Sequence, residues 1–254
     1  MLLATGLILV GWLLNTPAGL LGKADAVGYA VCHRIDARSF HLGERQLPLC
    51  VRCSGMYLGA MLGLFYLSLS DRRRGGLPAW PVMLLLGLFG LAFAVDGINS
   101  FMSLIPDMPV LYPPQNWSRL VTGTGMGLAI AAVLFPAFNQ TVWRDWQPGP
   151  VLNSGWRVAG LVLLAVLLDL LVLSESPWVL YPLALVSAGG VLVILTMVYS
   201  MLWLIVLRFE NRYQNVVQLG VALAAGFGTA LAQIAVFDII RYALTGTWDG
   251  FHLG

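Results

Sequence analysis

The sequence predicts an all-α protein, a polytopic transmembrane helical bundle of about seven spans. Three observations carry that expectation. Of 254 residues, 59% are hydrophobic and only 10% are charged. Soluble domains carry about 25% charged residues, so this chain lacks the polar surface to cover itself in water. The mean hydropathy of +0.82 agrees. The apolar residues also fall into runs of about 20, the length that crosses roughly 30 Å of hydrocarbon.

Taken in order, the expected spans are residues 2–21, 53–70, 77–104, 120–138, 158–173, 178–207 and 216–243. The first is weakened by Asn15, Pro17 and Gly19. Its apolar start, residues 1–14, lacks a basic leader, so it reads as a retained helix rather than a cleaved signal. The second span ends at Asp71-Arg72-Arg73-Arg74. The sixth is expected to tilt or kink near Gly189-Gly190. Gly55, Gly59 and Gly63, with Gly123 and Gly127, are spaced by four, which lets helix backbones approach closely in lipid. Trp80, Trp117, Trp143, Trp146, Trp156 and Trp178 fall near span ends, as an interfacial aromatic belt requires.

Composition also limits function. A net charge of +2 is too small to suggest nucleic acid as a partner. Lys23 is the single lysine among 14 basic residues, and arginine suits carboxylates and anionic head groups because its fork binds two oxygens. Three cysteines exclude a fully paired disulfide framework. No phosphate loop, zinc-protease helix, haem-attachment motif or serine nucleophile elbow is present.

The chemically distinctive stretch is the polar segment between the first two spans. All three cysteines and two of the three histidines lie between Cys32 and Cys53. Cys50 and Cys53 form a C-x-x-C pair at an expected helix start, where free N–H groups stabilise thiolates. Three readings are open. Cys32, Cys50 and Cys53 with His33 or His41 would make a Cys3His zinc set. The same thiols would suit disulfide exchange, with a partner thiol or a quinone as electron acceptor. The bland reading is a disulfide that staples a loop. Arg34, Arg38, Arg45 and Arg52 either bind a phosphate or carboxylate head group or lie solvated at the interface, some paired with Asp36 and Glu44.

Charged residues inside spans are costly and informative. Asp96 lies in the third span with Asn99 three residues on, Arg119 opens the fourth, Asp169 lies in the fifth, and Asp238 and Arg241 lie in the seventh. Asp238 and Arg241 are spaced to pair on one helix face, and Asp96 is expected to pair with Arg119. Their gathering on one side of the bilayer suggests either a polar cavity below the cysteine segment or a packed ion-pair network. In such a cavity Asp96 would be the candidate base, and Arg34, Arg38, Arg45, Arg52, Asn99 and Arg119 would bind substrate. His252 is expected to be exposed in the C-terminal tail.

The run Cys32-His33-Arg34, Arg38-Ser39-Phe40 and Gln46-Leu47-Pro48-Leu49-Cys50-Val51-Arg52-Cys53-Ser54-Gly55 resembles a family of predicted prokaryotic membrane proteins, the domain-of-unknown-function family numbered 2085. Asp96-Gly97 and Asn116…Arg119…Thr122-Gly123 resemble its second block. The resemblance covers roughly residues 32–127 and implies a small helical membrane protein with no established activity. It divides the chain into a family-like membrane domain, residues 1–138, which contains the Cys/His segment 22–53, and additional helices of the same bundle, residues 139–254.

The leading expectation is an integral protein of a prokaryotic inner or plasma membrane, with the lipid bilayer as its constant partner. A Cys/His zinc site would lie at one face, over an Arg/Asp-lined cavity that takes an anionic amphiphile such as an anionic lipid. The alternatives are a quinone-linked thiol oxidoreductase, a transporter, or a noncatalytic subunit of a membrane complex. Whether the protein is an enzyme stays open. Arginine bias in the loops sets Arg72, Arg73, Arg74, Arg144, Arg157, Arg208 and Arg212 against Lys23, Arg34, Arg38, Arg45, Arg52 and Arg119. Discounting the cysteine segment, that bias puts the N-terminus inside and the cysteines at the outer face.

Overall fold

A computed structural model describes residues 1–250; His252 lies outside the described residues. The chain folds as an all-α bundle with very little strand. Among the described residues six helices are long and apolar enough to span a membrane, and the spans number up to seven if a bent pair of helices counts as one. The six are α3 (Val51–Ser70), α4 (Trp80–Met102), α5 (Asn116–Val142), α6 (Gly155–Leu173), α7 (Pro177–Val206) and α8 (Gly220–Thr245). The helix expected to tilt or kink near Gly189-Gly190 runs unbroken through α7, where Tyr57 and Met61 of α3 pack closely against the Gly190 backbone. At 30 residues α7 is about 45 Å long, so it must tilt or project beyond the hydrocarbon.

The first expected span lies in a bent pair of helices that together are long and apolar enough to be a broken span or a re-entrant loop. Helix α1 (Leu2–Asn15) stops before Thr16-Pro17, and α2 (Gly19–Val31) leaves at 106° to it. Proline disfavours helical backbone at the residue before it, and Thr16 is extended, with φ −114° and ψ 160°. Gly19 has a φ of +80°, in the left-handed region that glycine enters at low cost. The Lys23 ammonium then satisfies the end of α1, donating to the Leu13 carbonyl at 2.5 Å and the Thr16 carbonyl at 2.9 Å. Helix α1 runs parallel to α8: Thr5 bonds the Ala224 carbonyl and Trp12 reaches Asp238. The first part of the polar segment is thus the helix α2, packed on α7 and α8.

The tightest seam joins α3 to α5. A Cβ on Gly55 would lie 2.5 Å from the Leu120 carbonyl, and one on Gly59 or Gly127 would overlap backbone of the facing helix. The four-residue glycine spacing therefore does what the sequence suggested. Helix α4 packs on α5 and leaves Leu84, Leu88, Leu91 and Ile98 exposed, as a lipid-facing helix does. At the end away from the cysteines, β3 (Arg74–Gly76) and β4 (Gln147–Pro150) pair in parallel. Asp71 there binds Arg74 and Arg157. At the cysteine end, β1 (His41–Leu42) and β2 (Arg45–Gln46) form a small antiparallel hairpin, turned at Gly43 with φ +63°.

Candidate metal centre

The cysteines come from the two ends of the polar segment. Cys32 ends α2, while Cys50 is the N-cap of α3 and Cys53 lies in its first turn. What brings them together is the packing of α2 on the Leu47-Pro48-Leu49 strap. A Cβ on Gly28 would overlap the Pro48 carbonyl, so glycine is required for α2 to lie that close. The result is that Cys32, Cys50 and Cys53 offer sulfurs all within 4.8 Å of one another. All three are unbridged; Cys32 and Cys50 are buried and Cys53 is half-buried.

This arrangement fits a metal ion. Tetrahedral zinc with Zn–S bonds of about 2.3 Å sets its sulfurs about 3.8 Å apart, a spacing within reach of this trio. The Cys50 backbone N–H also donates to Cys32 Sγ at 3.3 Å, a contact that stabilises a thiolate. Hydrogen bonds from Cys50 and then Cys53 hold the Cys32 thiol well below the usual range, against the opposing effect of burial. The Cys50 thiol is in turn pushed up to about 12, chiefly by its bond to Cys32. A metal across the trio would take all three as thiolates, and the Cys50 N–H contact already favours that form at Cys32.

The histidines are placed elsewhere. His41 Nε2 lies 2.8 Å from Asp36 Oδ1 on the exposed hairpin, and it is not among the clustered ligand atoms. His33 Nδ1 accepts the Ile35 N–H at 3.0 Å, so only Nε2 is left to it, and it too stands outside the cluster. Burial lowers the His33 pKa, and the cations of Arg38, Arg52 and Arg241 lower it further. The structure therefore gathers three of the five expected ligands.

Beside the thiols lies a packed polar network, the second of the two readings of these charges. Asp96 and Ser100, one turn apart on α4, are buried at its centre. Arg52, between Cys50 and Cys53 on α3, pairs with Asp96 and donates to Ser100 Oγ at 2.8 Å. Arg38 donates to the Ser100 carbonyl at 2.5 Å and Arg119 to Ser100 Oγ at 3.4 Å. Asp96 further accepts from Tyr112 at 2.8 Å and Ser118 at 3.3 Å. Its carboxylate, expected as a base, is thus held by three residues, Arg52, Tyr112 and Ser118. Its ion pair is with Arg52, not with Arg119 as the sequence suggested. Asn99 ties down the following loop, bonding the Tyr112 carbonyl and the Leu111 N–H.

The remaining arginines split away. Arg34 and Arg45 converge on Asp25 at 3.0 and 2.5 Å, while the residues expected to balance them, Asp36 and Glu44, are exposed. Arg34 has a left-handed φ of 50°, uncommon for a side chain of its size. The expected Asp238–Arg241 pair does not form among the described residues. Asp238 accepts from Trp12 at 3.1 Å, and Arg241 donates to the Tyr29 and Cys32 carbonyls at 2.6 Å, fastening the end of α2 to α8. Asp169 accepts from Thr124 at 2.6 Å, on the far side of α5 from α4.

Sequence reasoning missed Asp25, Ser100, Tyr112, Ser118 and Trp12. Ser100 carried a usable signal, because it follows Asp96 by four residues and so shares its helix face. Tyr112, Ser118 and Trp12 carried none, since their roles depend on how helices and loops meet.

No solved structure matches this chain. An uncharacterized protein of Methanocaldococcus jannaschii is 25% identical over 126 residues, which is 48% of this chain and 72% of that one. Residues 32–133, which hold the three cysteines, Arg38, Arg52, Asp96 and Arg119, match the family described as predicted membrane protein, domain of unknown function 2085.

Proposed function

We propose that this is a membrane protein in which Cys32, Cys50 and Cys53 bind one zinc ion, with an anion-collecting arginine cluster directly beside it. The observation that carries the reading is the meeting of three sulfurs from two distant segments within 4.8 Å. A loop staple would need only two. Three thiolates leave one position of a tetrahedral ion for water or a ligand atom.

The neighbouring charges support an anionic ligand. Arg38, Arg52 and Arg119 face a single carboxylate, Asp96, in buried or half-buried surroundings. Such an excess of cations in a poorly solvated region favours an incoming anion. Because the cluster lies at the ends of α3, α4 and α5, where head groups would lie, an anionic amphiphile is the ligand class that fits. Arg34 and Arg45, committed to Asp25, are set outside this role. The exposed Arg72, Arg144, Arg208 and Arg212 all lie at the opposite end, and the positive-inside bias supports reading the cysteines at the outer face of a prokaryotic plasma membrane.

The test is metal content per chain on detergent-purified protein, with free thiols counted in the same sample. About one zinc per chain is expected, lost in Cys32→Ser, Cys50→Ser and Cys53→Ser alike. Metal-free protein with two thiols that appear only after reduction would instead establish disulfide chemistry and overturn the zinc reading.

A further inference from the structure

A second site lies on the other flank of the molecule, along the seam of α1 and α8. A cavity of about 780 Å³ lies there, and Trp12, Asp238, Tyr242 and Trp248 are among the residues around it. Its size falls in the range of small-molecule sites, roughly 300–1,000 Å³. Asp238 is 3% exposed. One carboxylate oxygen accepts from Trp12, while the other, Oδ1, is buried without a partner among the described residues. An isolated carboxylate in an apolar setting is strongly disfavoured unless a cation or proton joins it.

Arg241 attracts Asp238 electrostatically, but neither nearby cation hydrogen-bonds it among the described residues. Arg241, one turn on, donates to carbonyls at the end of α2 and lies over the Tyr29 ring at 4.0 Å. Lys23 donates to the carbonyls that end α1 and lies 5.9 Å over the Trp12 ring, and no ion pair joins it to Asp238 among the described residues. The rings beside the cavity complete the picture. Trp248 stacks at a tilt on Tyr242, 5.5 Å between centroids, and Trp12 stands on the opposite helix. Aromatic faces around a carboxylate are the chemistry that recognises an ammonium group. Ile8 and Ile239 continue the wall with apolar surface, which suits a hydrocarbon chain.

We propose that the cavity between α1 and α8 binds an alkylammonium group, with the cation at Asp238 and the rings of Trp12, Tyr242 and Trp248 around it. The group is carried either on a lipid chain or as a free organic cation. This site is separate from the cysteine centre and needs neither the metal nor the arginine cluster.

The experiment is titration calorimetry of the full chain in maltoside micelles, with dodecyltrimethylammonium and tetramethylammonium as probes. Saturable binding of one dodecyltrimethylammonium per chain is expected. Asp238→Asn should weaken it at least ten-fold, since asparagine can still accept the Trp12 bond but carries no charge. Trp248→Leu, outside the α1–α8 contact, should weaken it several-fold and guards against a folding defect in the first variant. Tetramethylammonium binding as well as the chain-bearing probe would identify a free cation as the natural ligand; much weaker binding would identify an amphiphile. No saturable binding, or equal binding by wild type and both variants, would overturn the proposal.

Discussion

The Arg52–Asp96 pair gives the sharpest test of how the candidate centre is held. Asp96 is 1% exposed at its side chain and Arg52 is 15% exposed. Removing one partner of such a buried pair costs about 3–5 kcal/mol, because the other charge stays buried without its match. The two losses should be unequal. Asp96→Asn leaves Arg38, Arg52 and Arg119 facing one another with no carboxylate between them, whereas Arg52→Met leaves two arginines still balanced by Asp96. We therefore expect the upper end of that range for Asp96→Asn and the lower end for Arg52→Met. At roughly 2–4 °C per kcal/mol for a chain of this size, Asp96→Asn should lower Tm by about 10 °C or more. The assay is thermal unfolding in detergent of both single variants and the double variant. A coupling of about 2 kcal/mol is expected, since the double variant no longer buries the Asp96–Arg52 mismatch. Inorganic phosphate should restore part of the stability of Asp96→Asn by supplying the missing anion. Additive losses, with Asp96→Asn no worse than Arg52→Met and unmoved by phosphate, would refute the account of three cations gathered on one carboxylate.

Other expectations follow from single contacts. Gly127→Leu places a side chain against the Met56 carbonyl and the Ala60 amide of α3; overpacking of this kind costs about 1–3 kcal/mol or more, read as a lowered Tm. Because the same seam positions the start of α3, that variant should also expose Cys53 to a maleimide faster than wild type. Thr124→Val removes the hydrogen bond to the buried Asp169 and should cost about 1–3 kcal/mol, while Thr124→Ser should cost much less. Trp12→Phe removes the bond that ties α1 to α8 through Asp238; faster proteolysis after α1, with the rest of the bundle intact, is the expected result.

The parts of this protein legible in the sequence are those set by a short-range pattern. Apolar run length placed α3 to α8, and the four-residue glycine spacing marked the α3–α5 seam. The C-x-x-C pair located the start of α3 to within three residues. What composition could not show was geometry across distance. Residues 2–21 read as one apolar span because Thr16-Pro17 is short, yet one proline turns the chain by 106°. Charge pairing failed for the same reason. The nearest opposite charge along a helix, Arg241 for Asp238, lost to Trp12 from another helix and to the carbonyls at the end of α2. A buried charge takes whichever partner packing brings to it, and the sequence separation of Trp12 and Asp238, 226 residues, carries no local signal.

The placement of the cysteines ties the arginine cluster and the thiols to the same turn of one helix. Cys50, Arg52 and Cys53 occupy the first turn of α3 and its cap, so any shift of that helix moves sulfur and guanidinium together. Arg52 anchors the turn to α4 through Asp96 and Ser100, and Arg241 anchors the Cys32 end of α2 to α8 through carbonyls. The thiols thus lie between two arginine clamps that act on different helices. A metal bound across Cys32, Cys50 and Cys53 would lock those clamps in register, and an anion entering the Arg38–Arg52–Arg119 cluster would pull on the same turn of α3. Binding at one site should therefore alter affinity at the other, and by linkage the effect must be reciprocal. Phosphate or an anionic amphiphile should slow chelator-driven loss of zinc from the wild type, and Arg52→Met should abolish that protection while still binding the metal. Equal rates of metal loss with and without the anion would show that the two groups are neighbours without being coupled.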